Sequence, residues 1–289
     1  RKRKQRGKKM INILFCGNYN IFNGIMSTTI SMLKRTNTKE AFNIYIFTMD
    51  VHHLREDYLP ISDKQIAFLE EIAKEYNPDN IVTKVDVTDL YIQEFANSPN
   101  EQCYCSPYTL LRLLADLIPG MPEKLLYLDA DLLFADDVTK LYNIDITNYE
   151  YAAAPDHYGK IILFWQRKFM NAGVILFNMK VSVETKLFEK SRNEIRLHKL
   201  TFADESAIIR STTKQLKISQ RFNDQKFLYK DTVIRHFSKR LFWLPYPHTE
   251  NIKQFQWVKM LCKFKYTKFE DILTDFVYFK TKFERENKN

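Results

Sequence analysis

The chain has 289 residues, 45% hydrophobic and 14% aromatic, which allows one large packed α/β domain with additions and excludes a disordered tail protein. Its net charge of +9 is concentrated at the ends: residues 1–9 carry seven basic side chains and no acid, residues 253–289 carry nine basic against five acidic, and the body is left near −2, so the globular part is not a basic nucleic-acid platform. Six glycines supply neither a P-loop nor a G-x-G-x-x-G fingerprint, Cys16, Cys103, Cys105 and Cys262 form no C-x-x-C pair and read as reduced thiols, and no apolar run reaches the roughly 18 residues that cross a bilayer.

Met10 to Cys16 reads as a buried strand that ends in the polar turn Gly17-Asn18-Tyr19-Asn20. A helix from about Gly24 to Lys34 and an apolar strand from Phe42 to Thr48 complete a βαβ unit, whose strands lie parallel. Asp63 to Tyr76 has helical periodicity, with Ile66, Leu69 and Ile72-Ala73 on one face, and Ile81 to Val85 is a third short strand. Ser106-Pro107 supplies an N-cap and a first helical position, and Pro119-Gly120 ends the helix after Ile118. Arg112 follows Tyr108 by one helical turn, so both are expected to face one cleft; the alternative for Arg112 is an i,i+4 ion pair with Asp116.

The run from Lys124 to Phe134 is an apolar strand that carries Asp129 and Asp131. Residues two apart on an extended chain project the same way, so the two carboxylates converge while Ala130 leaves room between them. Adjacent anions raise each other's pKa unless a cation neutralises them. Oxygen ligands of this kind suit Mg²⁺ or Mn²⁺, which commonly share their shell with substrate phosphates. The alternative is a carboxylate pair that caps backbone at a strand end. The carboxyl end of a strand is also the edge where open α/β sheets bind ligands.

Asn171 to Met179 is another central strand, entered through the small turn Asn171-Ala172-Gly173. A capped helix begins near Thr201, with Asp204 and Glu205 in its early turn, where acids also complement the helix dipole. Thr232 to Phe237 is a short β-rich run containing His236. Pro155 to Met170, with Asp156, His157, Tyr158, Trp165 and Arg167, forms either an acceptor wall or an ordinary surface loop. After about Pro247 aromatics and lysines interleave, as in an interfacial helix or in a helical cap packed on the core.

The polar turn after strand one, the Asp-x-Asp strand, the Asn-Ala-Gly turn and the late histidine, in this order across residues 10–245, resemble glycosyltransferase family 8. These are retaining nucleotide-sugar transferases of the GT-A fold, and the bacterial lipopolysaccharide galactosyl and glucosyl transferases look most similar. The resemblance implies a GT-A domain over residues 10–245, built on a mostly parallel, Rossmann-like α/β sheet with helices on both faces. A basic arm over 1–9 and a C-terminal helical or membrane-peripheral extension over 246–289 flank it.

By the same resemblance Asp129, Asp131 and His236 bind Mn²⁺, the imidazole tilting the choice away from Mg²⁺. A UDP-galactose or UDP-glucose donor would meet Asn18 and Asn20 at its uridine. Tyr108, Arg112, Ala130, Asn171, Ala172 and Gly173 would line its sugar and phosphates, with Lys239 at the diphosphate. Glu205 is the nucleophile candidate and Asp204 the sugar-hydroxyl acceptor. Three departures stand out: Asn18 where the family often has aspartate, Glu205 where it has glutamine, and Lys239-Arg240 with Phe242-Trp243 where it has a glycine and then Lys-Pro-Trp. The acceptor implied is a glycan, glycolipid or glycoprotein. The location implied is cytoplasmic, peripheral on the inner membrane face through basic ends that attract anionic lipid, with no nucleic acid bound. Two rivals remain: a non-catalytic carbohydrate- or nucleotide-sugar-binding protein on this fold, and a Mg²⁺ phosphohydrolase that uses Asp-x-Asp.

Overall fold

The computed structural model describes residues 9–101, 106–157, 169–242 and 246–287. Most of the basic arm, Cys103, Cys105, Tyr158, Trp165, Arg167 and Trp243 lie outside the described residues.

A central sheet of seven strands combines β1 (Met10–Cys16), β2 (Ala41–Thr48), β3 (Ile81–Asp86), β4 (Lys124–Leu128), β6 (Tyr151–Pro155), β7 (Met170–Asn178) and β8 (Gln215–Lys217) in the order β3-β2-β1-β4-β7-β6-β8. The first four in that order are parallel; β7 runs against both β4 and β6, and β8 is parallel to β6. Both faces are covered, which explains why β1 is apolar throughout rather than alternating. Ile11, Ile13 and Phe15 join one core with α1 (Phe22–Arg35) and α2 (Asp63–Tyr76). Leu14 joins the other core with α3 (Thr88–Phe95) and a 3₁₀ helix over Pro107–Leu117. Short helices α4 (Thr139–Tyr142) and α5 (Met179–Glu184) follow β5 (Leu132–Phe134) and β7, while α6 (Leu187–Leu197) and α7 (Ala203–Ser211) complete the second face. At α2 the expected start is met by a capping box: the Ser62 hydroxyl accepts from Gln65 N, and the Gln65 side chain accepts from Ser62 N.

The expected single strand from Lys124 to Phe134 is instead two. β4 stops at Leu128, and β5 (Leu132–Phe134) pairs antiparallel with β9 (Ile234–His236) in a separate two-stranded sheet, Leu132 opposite His236. Asp129-Ala130-Asp131 is the corner between them. Aspartate is unfavourable inside a strand, and two contacts hold the corner. A Cβ on Gly24 of α1 would lie 2.3 Å from the Ala130 carbonyl oxygen, so glycine lets the helix close on it. The Gln254 amide donates to the same oxygen at 2.8 Å.

The tail folds back on the body. A β-hairpin of β10 (Arg240–Phe242) and β11 (His248–Glu250) leads to α8 (Glu270–Glu286), which lies on α1. Arg35 grips Asp271 with two bonds of 2.7 Å, Lys34 meets Asp275 at 2.6 Å, and the Phe22 and Phe283 rings are 5.2 Å apart. Ile272, Leu273, Phe276 and Phe279 are buried in the core beneath, while Val277 and Tyr278 face outward. No helix among the described residues is long and apolar enough to cross a membrane.

Candidate functional site

The chain turn at Asp129-Ala130-Asp131 and the pairing of β5 with β9 bring Asp129, Asp131 and His236 together, with one ligand atom of each within 4.8 Å of the others. His236 Nε2 stands 3.1 Å from Asp131 Oδ1 and 3.8 Å from Asp129 Oδ2. The remaining carboxylate oxygens are already engaged. Asp129 Oδ1 accepts from the Tyr127 hydroxyl at 2.6 Å and from Arg112 Nη2 at 3.3 Å, and Asp131 Oδ2 meets Lys253 Nζ at 2.7 Å. Asp131 Oδ1 is buried and accepts no hydrogen bond among the described residues. Burial alone would raise the Asp131 carboxyl, but the His236 imidazole and the Lys253 ammonium outweigh it and hold the group well below the usual carboxylate range.

Two carboxylate oxygens and an imidazole nitrogen facing one point fit a hard divalent ion, so the donor set passes the test of residue chemistry. A side chain at Gly173 would force the ligand atoms to shift. A Cβ there would come within 2.4 Å of His236 Cε1 and 2.9 Å of Asp129 Oδ2. The Gly173 carbonyl also accepts from Asp129 N at 2.8 Å, tying β7 to the corner.

Arg112 is 2% exposed, and its guanidinium is spent on the protein. It donates from Nε to Thr109 O at 2.9 Å and from Nη1 to Ala172 O at 2.5 Å, and its Nη2 lies 3.3 Å from both Asp129 Oδ1 and Asp204 Oδ2. It also stacks 3.7 Å from the Tyr127 ring centre. The expectation that Arg112 and Tyr108 share a cleft fails. Tyr108 lines the cavity described below and donates to Met49 O at 3.0 Å, whereas Arg112 does not line it. The cause is the 3₁₀ winding of Pro107–Leu117, three residues per turn, which sets residues four apart a third of a turn out of line. Asp116, the other partner considered for Arg112, is paired with Arg192 at 2.5 Å.

Asp204 and Glu205 occupy the first turn of α7. Burial raises the Asp204 carboxyl, with Arg112 opposing. Burial likewise lifts Glu205 well above the ordinary glutamate range, with Asp156 and Asp204 adding to it. Glu205 Oε1 is buried without a hydrogen bond among the described residues, beside a small hollow of about 10 Å³ lined by Asn171, Ala172 and Tyr151.

In front of the acid corner lies a cavity of about 320 Å³, lined by Cys16, Gly17, Asn18, Asn20, Ser106, Tyr108, Tyr127, Asp129, Ala130, Asp131, Lys253 and Phe255 among others. That volume is in the range of small-molecule and cofactor sites. Asn18 and Asn20 both donate their amides to the Asp57 carbonyl oxygen, at 3.4 and 3.2 Å, and Asn20 also to the Asp57 carboxylate at 3.1 Å. Lys239 is exposed and does not line this cavity; the lysine found at the corner is Lys253.

Sequence reasoning missed Lys253, Tyr127 and Asn223, whose side chain meets His236 Nδ1 at 2.9 Å. Tyr127 was within reach of strand alternation, since it stands two residues before Asp129. Lys253 and Asn223 sit in irregular segments with no periodic signal.

The description "Glycosyl transferase family 8" matches residues 12–237. A Haemophilus influenzae protein named "Putative glycosyltransferase" is 28% identical over 225 residues, 74% of this chain and 63% of that protein. The chain therefore spans less than two thirds of that relative's length. Among solved structures, an active-site mutant of LgtC superposes with a TM-score of 0.60 at 20% identity, over 78% of this chain and 86% of LgtC. The galactosyltransferase LgtC in complex with donor and acceptor sugar analogs gives 0.56 at 17% identity over the same shares. GlyE of Streptococcus pneumoniae gives 0.57 at 17%, over 95% of this chain and 64% of GlyE. These structural likenesses establish the GT-A fold, and the family match covers more than three quarters of the sequence. The chain belongs to glycosyl transferase family 8.

Proposed function

We propose that the protein is a retaining hexosyltransferase that moves galactose or glucose from a UDP-sugar to a glycan, glycolipid or glycoprotein. The observation that carries this reading is the convergence of Asp129 Oδ2, Asp131 Oδ1 and His236 Nε2 on one point beside a cavity of nucleotide size. Asp129, Asp131 and His236 would hold Mn²⁺, or Mg²⁺ in its place, and the ion supplies Lewis-acid neutralisation of the departing diphosphate.

The chain's own residues do the rest. The Asn18 and Asn20 amide N–H groups are directed to Asp57, which leaves the carbonyl oxygen of each to accept from the imide N–H of uracil and from ribose. Asparagine thus presents the same acceptor that aspartate would. Lys253, now paired with Asp131 at the cavity wall, is the cation for a phosphate oxygen, in place of the expected Lys239. Arg112 and Tyr127 hold Asp129 in place by stacking and hydrogen bonds. Gly173 lets the His236 and Asp129 side chains close on the β7 backbone, and Asn171 and Ala172 would border the donor sugar. Asp204 accepts from a sugar hydroxyl. Glu205 would serve the sugar face remote from the leaving group and stabilise developing positive charge once it has given up its proton, so turnover should rise with pH as Glu205 ionises. Residues 10–245 form the catalytic body; the extension over 246–289 completes it through Lys253 and Gln254, and the basic residues 1–9 meet anionic lipid on the inner membrane face.

UDP release from UDP-galactose and UDP-glucose without acceptor, with Mn²⁺ and with EDTA, tests the reading. Slow Mn²⁺-dependent release supports it. Tight UDP-sugar binding with no release under any condition favours the non-catalytic binder.

A further inference from the structure

Behind the candidate metal histidine runs a chain of side-chain amides whose direction can be derived rather than assumed. The backbone N–H of Gly173 can only donate, so the Asn171 side-chain atom 3.0 Å away is its oxygen. That oxygen also lies 2.8 Å from the Asn223 side chain, which must therefore present its NH₂. The other end of Asn223 is then a carbonyl oxygen, and His236 Nδ1, 2.9 Å from it, must carry the proton. In the opposite direction the Asn171 NH₂ donates to Asp156 Oδ2 at 2.9 Å. A second backbone donor fixes that end independently: His157 N–H donates to Gln225 Oε1 at 2.6 Å, so the Gln225 NH₂ faces Asp156 Oδ2, at 3.2 Å. Every link agrees. Asn223 is fully buried, and its orientation has no solvent to relax into.

We infer that Asn223 is a positioning residue that keeps a proton on His236 Nδ1, through a relay Asp156–Asn171–Asn223–His236, so that Nε2 is the nitrogen offered to an ion at Asp129 and Asp131. Metal-binding histidines are ordinarily oriented by a hydrogen bond from the ring nitrogen that does not ligate. Here that partner is a neutral amide, itself polarised by a carboxylate two residues along the chain of bonds. The inference rests on the metal reading of the site above, and it makes Asn223 as necessary to ion affinity as a ligand without touching the ion.

The test uses the full-length protein. In the unliganded ¹⁵N-labelled chain a two-bond ¹H–¹⁵N correlation assigned with His236→Gln should show a proton on His236 Nδ1; a bare Nδ1 with the proton on Nε2 overturns the relay. Mn²⁺ titration followed by electron paramagnetic resonance should show Asn223→Leu weakened roughly 10–100-fold. Asn223→Asp, which keeps an acceptor for Nδ1–H, should lose far less. Undiminished affinity in Asn223→Leu also overturns the proposal. If the unmutated protein takes up no Mn²⁺ while Nδ1 carries a proton, the metal reading falls and the assignment of that proton stands.

Discussion

Gly173→Ala is the sharpest single perturbation of the site. The added methyl would lie 2.4 Å from His236 Cε1, 2.9 Å from His236 Nδ1 and 2.9 Å from Asp129 Oδ2, against an ordinary contact of 3.4 Å or more. The imidazole must therefore retreat by about 1 Å, and overpacking of this kind costs about 1–3 kcal/mol. Ligand distances in metal sites hold to about ±0.2 Å, so such a displacement should weaken Mn²⁺ roughly 10–100-fold. The Gly173 backbone bonds to Asn171 and Asp129 survive, because alanine keeps both the N–H and the carbonyl. Two measurements separate the effects. Calorimetric titration of Mn²⁺ reads affinity, and thermal unfolding in EDTA reads the packing cost, about 2–4 °C per kcal/mol for a chain of this order of size. A variant that binds Mn²⁺ as tightly as the parent would refute the placement of Gly173 against the ligand atoms.

Other consequences can be checked in parallel. Glu205→Gln should gain thermal stability relative to the parent as pH rises from about 4 to about 8: the parent's folded pKa is raised, so below the unfolded value both states are protonated, and above it the unfolded chain ionises while the folded chain resists. A stability difference that does not change with pH would show that this carboxyl is not held protonated by burial. The same variant should lose turnover more than donor affinity, read from kcat and KM for UDP release. Lys253→Met should bind Mn²⁺ more tightly in the absence of nucleotide, because a competing cation 2.7 Å from Asp131 is gone, yet bind UDP more weakly; calorimetry that finds neither change removes Lys253 from the site. Deleting residues 1–9 should reduce sedimentation with anionic liposomes and leave UDP release unaltered, and equal sedimentation would end the proposed lipid contact.

Much of the fold was legible where burial imposes a simple pattern. Strands covered on both faces appear as continuous apolar runs, so β1, β2 and β7 were found within a residue or two, and the spacing of Ile66, Leu69 and Ile72-Ala73 marked α2. What periodicity cannot encode is a corner. The apolar flanks of Asp129 and Asp131 look continuous along the chain, although β5 leaves the main sheet to pair with β9, a partner about a hundred residues away. Tyr108 and Arg112 were misaligned because an α pitch was assumed where the chain winds as a 3₁₀ helix. α3 and β6 are short segments that carried no turn signal strong enough to frame them. The two aspartates of the metal-facing trio came from strand spacing and His236 from family order, since it lies far along the chain. Lys253 and Asn223 reach the site only through tertiary folding, and nothing local to either residue announces it.

The most direct test is calorimetric titration of UDP into the protein with Mn²⁺ and with EDTA, for the parent and for Asp131→Asn, which keeps the shape of the side chain while removing its charge. The account predicts UDP binding that depends on Mn²⁺ in the parent and is lost in Asp131→Asn. UDP binding of equal strength in EDTA, or undiminished Mn²⁺-dependent binding by the variant, would contradict it.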